Sequence, residues 1–110
     1  RPRPSRLIVM AYNKAVMLLK HYHPLVFPTV VKKEKVKEDD LYGSCEVKVR
    51  KDSTYIKIVI NKDIDEIAQI DALIHEWAHG RLAGIPEEFE SHGPLWGVMF
   101  AECYLTVYPD

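Results

Sequence analysis

Apolar residues recur at intervals of three and four over the first part of the chain: Leu7, Ile8, Ala11, Tyr12, Ala15, Leu18 and Leu19. That period predicts an amphipathic helix from Ser5 to about His21, ended by Pro24 in HYHPLVFPTVV. Residues 26–31 then suit a short edge strand, because Pro28 cannot donate to a central ladder. The run KKEKVKEDD reads as a solvated loop or strand end. Alternation follows, with Cys45, Val47 and Val49 on one face and Glu46, Lys48 and Arg50 on the other. After the turn KDST, Ile56, Ile58 and Ile60 alternate with Tyr55, Lys57 and Val59. This predicts a β-hairpin with one apolar face turned inward.

The period then returns to the helical one. Asp63 with Glu66 three residues later forms a candidate capping box for a helix through Ile64, Ile67, Ala68, Ile74 and Trp77, closed by Gly84 and Pro86. The segment PEEFESHG is expected to be a loop. Pro94 suits a first helical position, and a last helix should run to about Val107. The order is helix, strands, helix, helix. It predicts a compact α+β single domain over residues 1–110, with a small antiparallel sheet or hairpin, a central helix and a C-terminal helix.

That central helix carries Ile74-His75-Glu76-Trp77-Ala78-His79-Gly80. His75 and His79 fall one turn apart on one face, about 5–6 Å apart at Cβ. Two imidazole nitrogens so placed can reach one Zn²⁺ at about 2.0–2.1 Å. Glu76 is offset from the first histidine, so it suits general-base work on a water activated by the metal. A catalytic zinc needs three protein ligands and an open fourth position. In the metzincin pattern Leu82 would be Gly and Ile85 would be His, so that class is excluded. A glutamate from the following helix would make Glu102 the third ligand. His92, in SHGPLW just before a proline-started helix, is the better-placed candidate. Asp71, one turn before His75, could accept a hydrogen bond from it. His21 and His23 sit at i and i+2, a poor spacing for a second site, and Tyr104 or Tyr22 could polarise a scissile carbonyl.

Composition changes the picture only in places. The chain has 47% hydrophobic and 28% charged residues, ordinary for a soluble globular protein. No apolar run approaches the roughly 18 residues of a membrane span, and RPRPSR does not open a secretory signal. Cys45 and Cys103 form no CxxC pair, so reduced thiols in an intracellular compartment, cytoplasm or nucleoid and nucleus, are expected. Net charge is −1 but lopsided: residues 1–57 hold 13 Lys and Arg against 6 acids, and residues 58–110 hold 2 against 10. The basic half could engage DNA through Lys48, Arg50 and Lys57, with Tyr55 beside them to stack on a base.

HEWAHG followed by SHGPLWGVMF resembles the SprT-like metallopeptidase family. There, a helix bearing HExxH is followed by an HG-P-aromatic segment that supplies a third histidine. The amphipathic first helix, Gly43 in the hairpin and Ile58-Val59-Ile60-Asn61 before the metal helix are similar too. The resemblance implies a zincin-like fold, Zn²⁺ bound by His75, His79 and His92, and Glu76 as catalytic base. Its members include the Spartan proteases, which cut proteins crosslinked to DNA, and bacterial SprT proteins. The expected function is therefore a zinc-dependent endopeptidase acting on protein substrates, DNA-associated ones among them. The alternatives are an ImmA/IrrE-like regulatory peptidase with a different third ligand, or a non-catalytic zinc-containing DNA-associated module.

Overall fold

A computed structural model describes residues 10–37 and 41–109. The elements are α1 (Tyr12–Tyr22), β1 (Thr29–Glu34), β2 (Gly43–Arg50), β3 (Ser53–Asn61), α2 (Glu66–Gly80), the short α3 (Pro86–Phe89) and α4 (Pro94–Val107). This is the expected α+β domain, although the expected helix start at Ser5, with Leu7 and Ile8, lies outside the described residues. The helix itself begins at Tyr12, with Ala11 in extended geometry and offering no side-chain cap. It buries Tyr12, Ala15 and Leu19, the stripe that its period of three and four predicts.

The sheet is mixed rather than antiparallel. Its strand order is β1-β3-β2, with β2 antiparallel and β1 parallel to β3. Strand β1 is an edge, as expected, but it starts at Thr29, just after Pro28, and extends into KKE, so the proline lies outside the strand and does not itself impose the edge position. The last residue of β1, Glu34, and the first of β2, Gly43, pair with Asn61 and Ile60 at the same end of β3. Asn61 also holds the approach to β2: its amide donates to the Leu41 carbonyl at 2.8 Å, and its backbone N–H donates to the Tyr42 carbonyl at 2.9 Å. Gly43 is required here, since a Cβ would stand 2.5 Å from the Val59 carbonyl oxygen. At the other end a two-residue loop joins β2 to β3, with Lys51 at φ 52°, the left-handed region such short hairpin loops need.

Ile56, Ile58 and Ile60 are wholly buried, facing α2 and α1 residues in the core. Burial of each contributes about 1.5–3 kcal/mol. Cys45 and Val47 pack against the same core, but Val49, expected inward, is 74% exposed. Its partner across the strand pair is Thr54, near the tip of the hairpin. Helix α2 is buried along most of its length because the sheet, α1 and α4 all pack on it. Its Trp77 is 1% exposed and donates its indole N–H to the His23 carbonyl at 2.8 Å, fastening α2 to the end of α1.

The expected capping box at Asp63 and Glu66 is not formed. Asp65 is the N-cap, accepting from Ala68 N at 2.8 Å, and Glu66 is the first helical residue. Asp63 instead gives its backbone N–H to Asn61 Oδ1. Glu66 accepts from Tyr12 N at 3.0 Å, so it caps α1 across the fold. Local spacing could not separate these acids, because a distant backbone donor decides the role of Glu66. No helix among the described residues is long and apolar enough to cross a membrane.

Candidate metal centre

His75 and His79 leave α2 on the face turned away from the core, into a cleft of about 1180 Å³. Strand β2 lines this cleft through Gly43, Ser44, Cys45 and Glu46, and α2 through Ala68, Asp71, Ala72, His75, Glu76 and His79. The helix ends at Gly80, earlier than Gly84, and turns of chain carry it into α3, where Pro86 takes a first-turn position. A loop was expected over this stretch. The compact turn of α3 returns the chain so that His92 meets both helix histidines.

The three imidazoles converge. His79 Nε2 lies 3.0 Å from His92 Nε2, which lies 3.2 Å from His75 Nε2. Four ligands at 2.0–2.1 Å in a tetrahedron would stand about 3.3 Å apart, so these spacings are close to those of a shared ion. His79 Nδ1 donates to the Phe89 carbonyl at 2.8 Å, which leaves its Nε2 as a lone pair facing the other two. Three nitrogens crowded in this way cannot all be satisfied by the protons that neutral imidazoles hold, whereas one cation accepts all three lone pairs. The three histidines can hold a metal ion.

The local electrostatics favour the neutral form of the two helix histidines. Burial pushes the His75 imidazole from 6.5 down to about 4, with the neighbouring His79 and His92 adding to the effect. His79 is also lowered, by burial first and by His92, against the opposing pull of the Phe89 carbonyl and Glu90. Uncharged imidazole is the form that ligates a metal. Glu76 is 9% exposed and lines the same cleft.

Of the other candidates, Glu102, His21, His23 and Tyr22 are not brought to the site, whereas Tyr104 and Asp71 are. Glu102 is half exposed and bonds Arg81 at 2.8 Å, outside the three-histidine group. His21 packs edge-on against Tyr22, while His23 bonds Thr106 Oγ1 at 2.7 Å, so the two do not form a second site. Tyr104 lines the cleft, whereas Tyr22 is 62% exposed on α1. Asp71 lies on the cleft wall. Cys45 and Cys103 are both free, with burial pushing their thiols up to about 12 and about 11.

Two features had no sequence signal strong enough to find them. One is the Phe89 carbonyl, a backbone group that sequence leaves anonymous. The other is Trp96, whose indole contacts all three histidine rings; its nearness to His92 in SHGPLW was the available clue. In comparisons with known proteins, no family model, no curated protein and no solved structure matches this chain.

Proposed function

We propose that this chain is a zinc-dependent endopeptidase of the SprT-like type. The observation that carries the reading is the convergence of His75, His79 and His92 Nε2 beside Glu76 on the wall of an open cleft. An all-imidazole donor set suits Zn²⁺, as it does other divalent transition metals. His75, His79 and His92 would hold the ion, and its chemistry there would be that of a Lewis acid for water and for a carbonyl oxygen. His79 is held in the ligating tautomer by the Phe89 carbonyl. Glu76 takes the proton of the attacking water and delivers it to the leaving amide nitrogen. Of Tyr104 and Tyr22, Tyr104 is the one that lines the cleft and so could face the scissile carbonyl.

Substrate positioning follows from the sheet. Strand β2 pairs with β3 on one side, and its other edge borders the cleft. An extended peptide can add to such an edge by backbone hydrogen bonds. An ImmA/IrrE-like peptidase would need a different third ligand, and among the described residues His92 is the group that joins the helix histidines.

The hairpin would engage DNA through its basic face. Lys48, Arg50 and Lys57 share the sheet face opposite the isoleucines with Tyr55, but Glu46 pairs with Lys48 at 3.3 Å and stands opposite Lys57. That acid reduces the local positive charge available to phosphates.

The function is tested with zinc-loaded protein and an unfolded protein substrate, with and without DNA, for wild type and Glu76→Gln. Wild type should cleave, and Glu76→Gln should retain zinc while losing at least about 100-fold in rate. Unchanged cleavage by Glu76→Gln, or no cleavage by the loaded wild type under either condition, would refute the reading.

A further inference from the structure

Helix α4 begins at Pro94, which places Trp96 in its first turn beside the metal ligands. The indole centroid lies 4.9 Å from His75, 5.5 Å from His79 and 4.9 Å from His92. It touches all three rings, which are themselves 4.7–5.1 Å from one another. Phe100, one turn on, stacks against it at 5.1 Å with planes 27° apart. Trp96 is not among the residues that line the cleft, although Phe100 is. The indole therefore forms the back wall of the histidine cluster, away from the side where substrate would approach.

Trp96 Nε1 is fully buried and finds no acceptor. Buried indole N–H groups ordinarily do, because leaving one unpaired is costly. A phenylalanine at this position would fill part of the space without that cost. What phenylalanine lacks is the breadth of the fused ring system, which is what spans three imidazoles at once.

We propose that Trp96 is a positioning residue of the metal centre, a single aromatic wall that sets the ring planes of His75, His79 and His92 so that their Nε2 atoms converge. The inference rests on the metal-binding reading of that cluster. The Phe89 carbonyl orients only His79, and the indole is in contact with the other two as well. Its electron-rich surface also suits neighbours that become more positive when they ligate a cation.

The test uses metal-stripped full chain, titrated with Co²⁺ by visible absorption and with Zn²⁺ by competition, for wild type, Trp96→Phe and Trp96→Leu. Trp96→Phe should leave the melting temperature of the metal-free protein unchanged or raised, yet weaken both metals about tenfold or more, as loss of outer-sphere support does. It should also change the intensity of the Co²⁺ bands, which report ligand geometry; Trp96→Leu should weaken binding further. A role in packing alone would lower the metal-free melting temperature and leave affinity and spectrum as they were.

Binding within about twofold of wild type by both variants, with unchanged spectra, would overturn the inference. Should the variants not fold, 5-fluorotryptophan labelling leaves the fold intact and gives two resonances, for Trp77 and Trp96. The Trp96 fluorine signal should move on zinc binding, and no movement overturns the proposal. A wild type that takes up no metal removes the metal reading itself, an outcome distinct from equal binding by all three proteins.

Discussion

Whether His92 or Glu102 completes the ligand set can be decided by metal-linked stability. His92 Nε2 stands 3.0 and 3.2 Å from the two helix histidines, while the Glu102 carboxylate is engaged by Arg81 at 2.8 Å. Zinc that binds only the folded chain stabilises it by about 2.7 kcal/mol when free zinc is 100 times Kd. For a domain of this size that is a rise in melting temperature of about 10 °C over the metal-free protein. If His92→Ala weakens binding a hundredfold, the same free zinc leaves about 0.4 kcal/mol, a rise of only 1–2 °C. Glu102→Ala breaks an exposed ion pair of about 0–1 kcal/mol. It should lower both the metal-free and the zinc-loaded melting temperatures by up to a few degrees and keep the 10 °C increment. The assay is differential scanning calorimetry in chelated and zinc-buffered solutions, so each variant provides its own baseline. An increment kept by His92→Ala and lost by Glu102→Ala would show that the carboxylate is the ligand and that the geometric argument is wrong.

Three further outcomes are expected. Asp65→Ala should lose about 1 kcal/mol by removing the true cap of α2, whereas Asp63→Ala should stay within about 0.5 kcal/mol; urea midpoints that rank them the other way would restore the capping box. Because His75 sits at about 4 in the fold against 6.5 in the unfolded chain, its contribution to metal-free stability is complete above pH 6.5 and is lost as pH falls from there through about 4. His75→Gln should therefore lose less stability than wild type between pH 6.5 and 4, and parallel curves would show that its burial carries no proton linkage. Single-stranded DNA should bind weakly with a log–log salt slope of about −0.7 per phosphate contacted, and a Lys48/Arg50/Lys57 triple-alanine variant should abolish it; binding unchanged in that variant would take the hairpin face out of the mechanism.

Periodicity alone determined much of this protein. The stripe Tyr12, Ala15 and Leu19, the alternation Ile56, Ile58 and Ile60, and the placement of His75 and His79 on one helical face are all local. Each follows from the 3.6 or 2 residue repeat that backbone geometry imposes. Tertiary structure decided what depends on groups distant in sequence. The parallel pairing of β1 with β3 joins residues more than 20 positions apart, and Glu66 caps α1 because Tyr12 N arrives there from 54 residues away. Val49 is exposed near the hairpin tip, which alternation cannot express. The choice of His92 over Glu102 depended on α3 turning the chain back and on Arg81 holding the carboxylate, and the Trp96 wall depended on α4 packing against α2. Local repeats specify which face a side chain occupies. Which side chains meet across 13 or 17 residues is set by how the elements pack, and it is that packing which brings three nitrogens to one point.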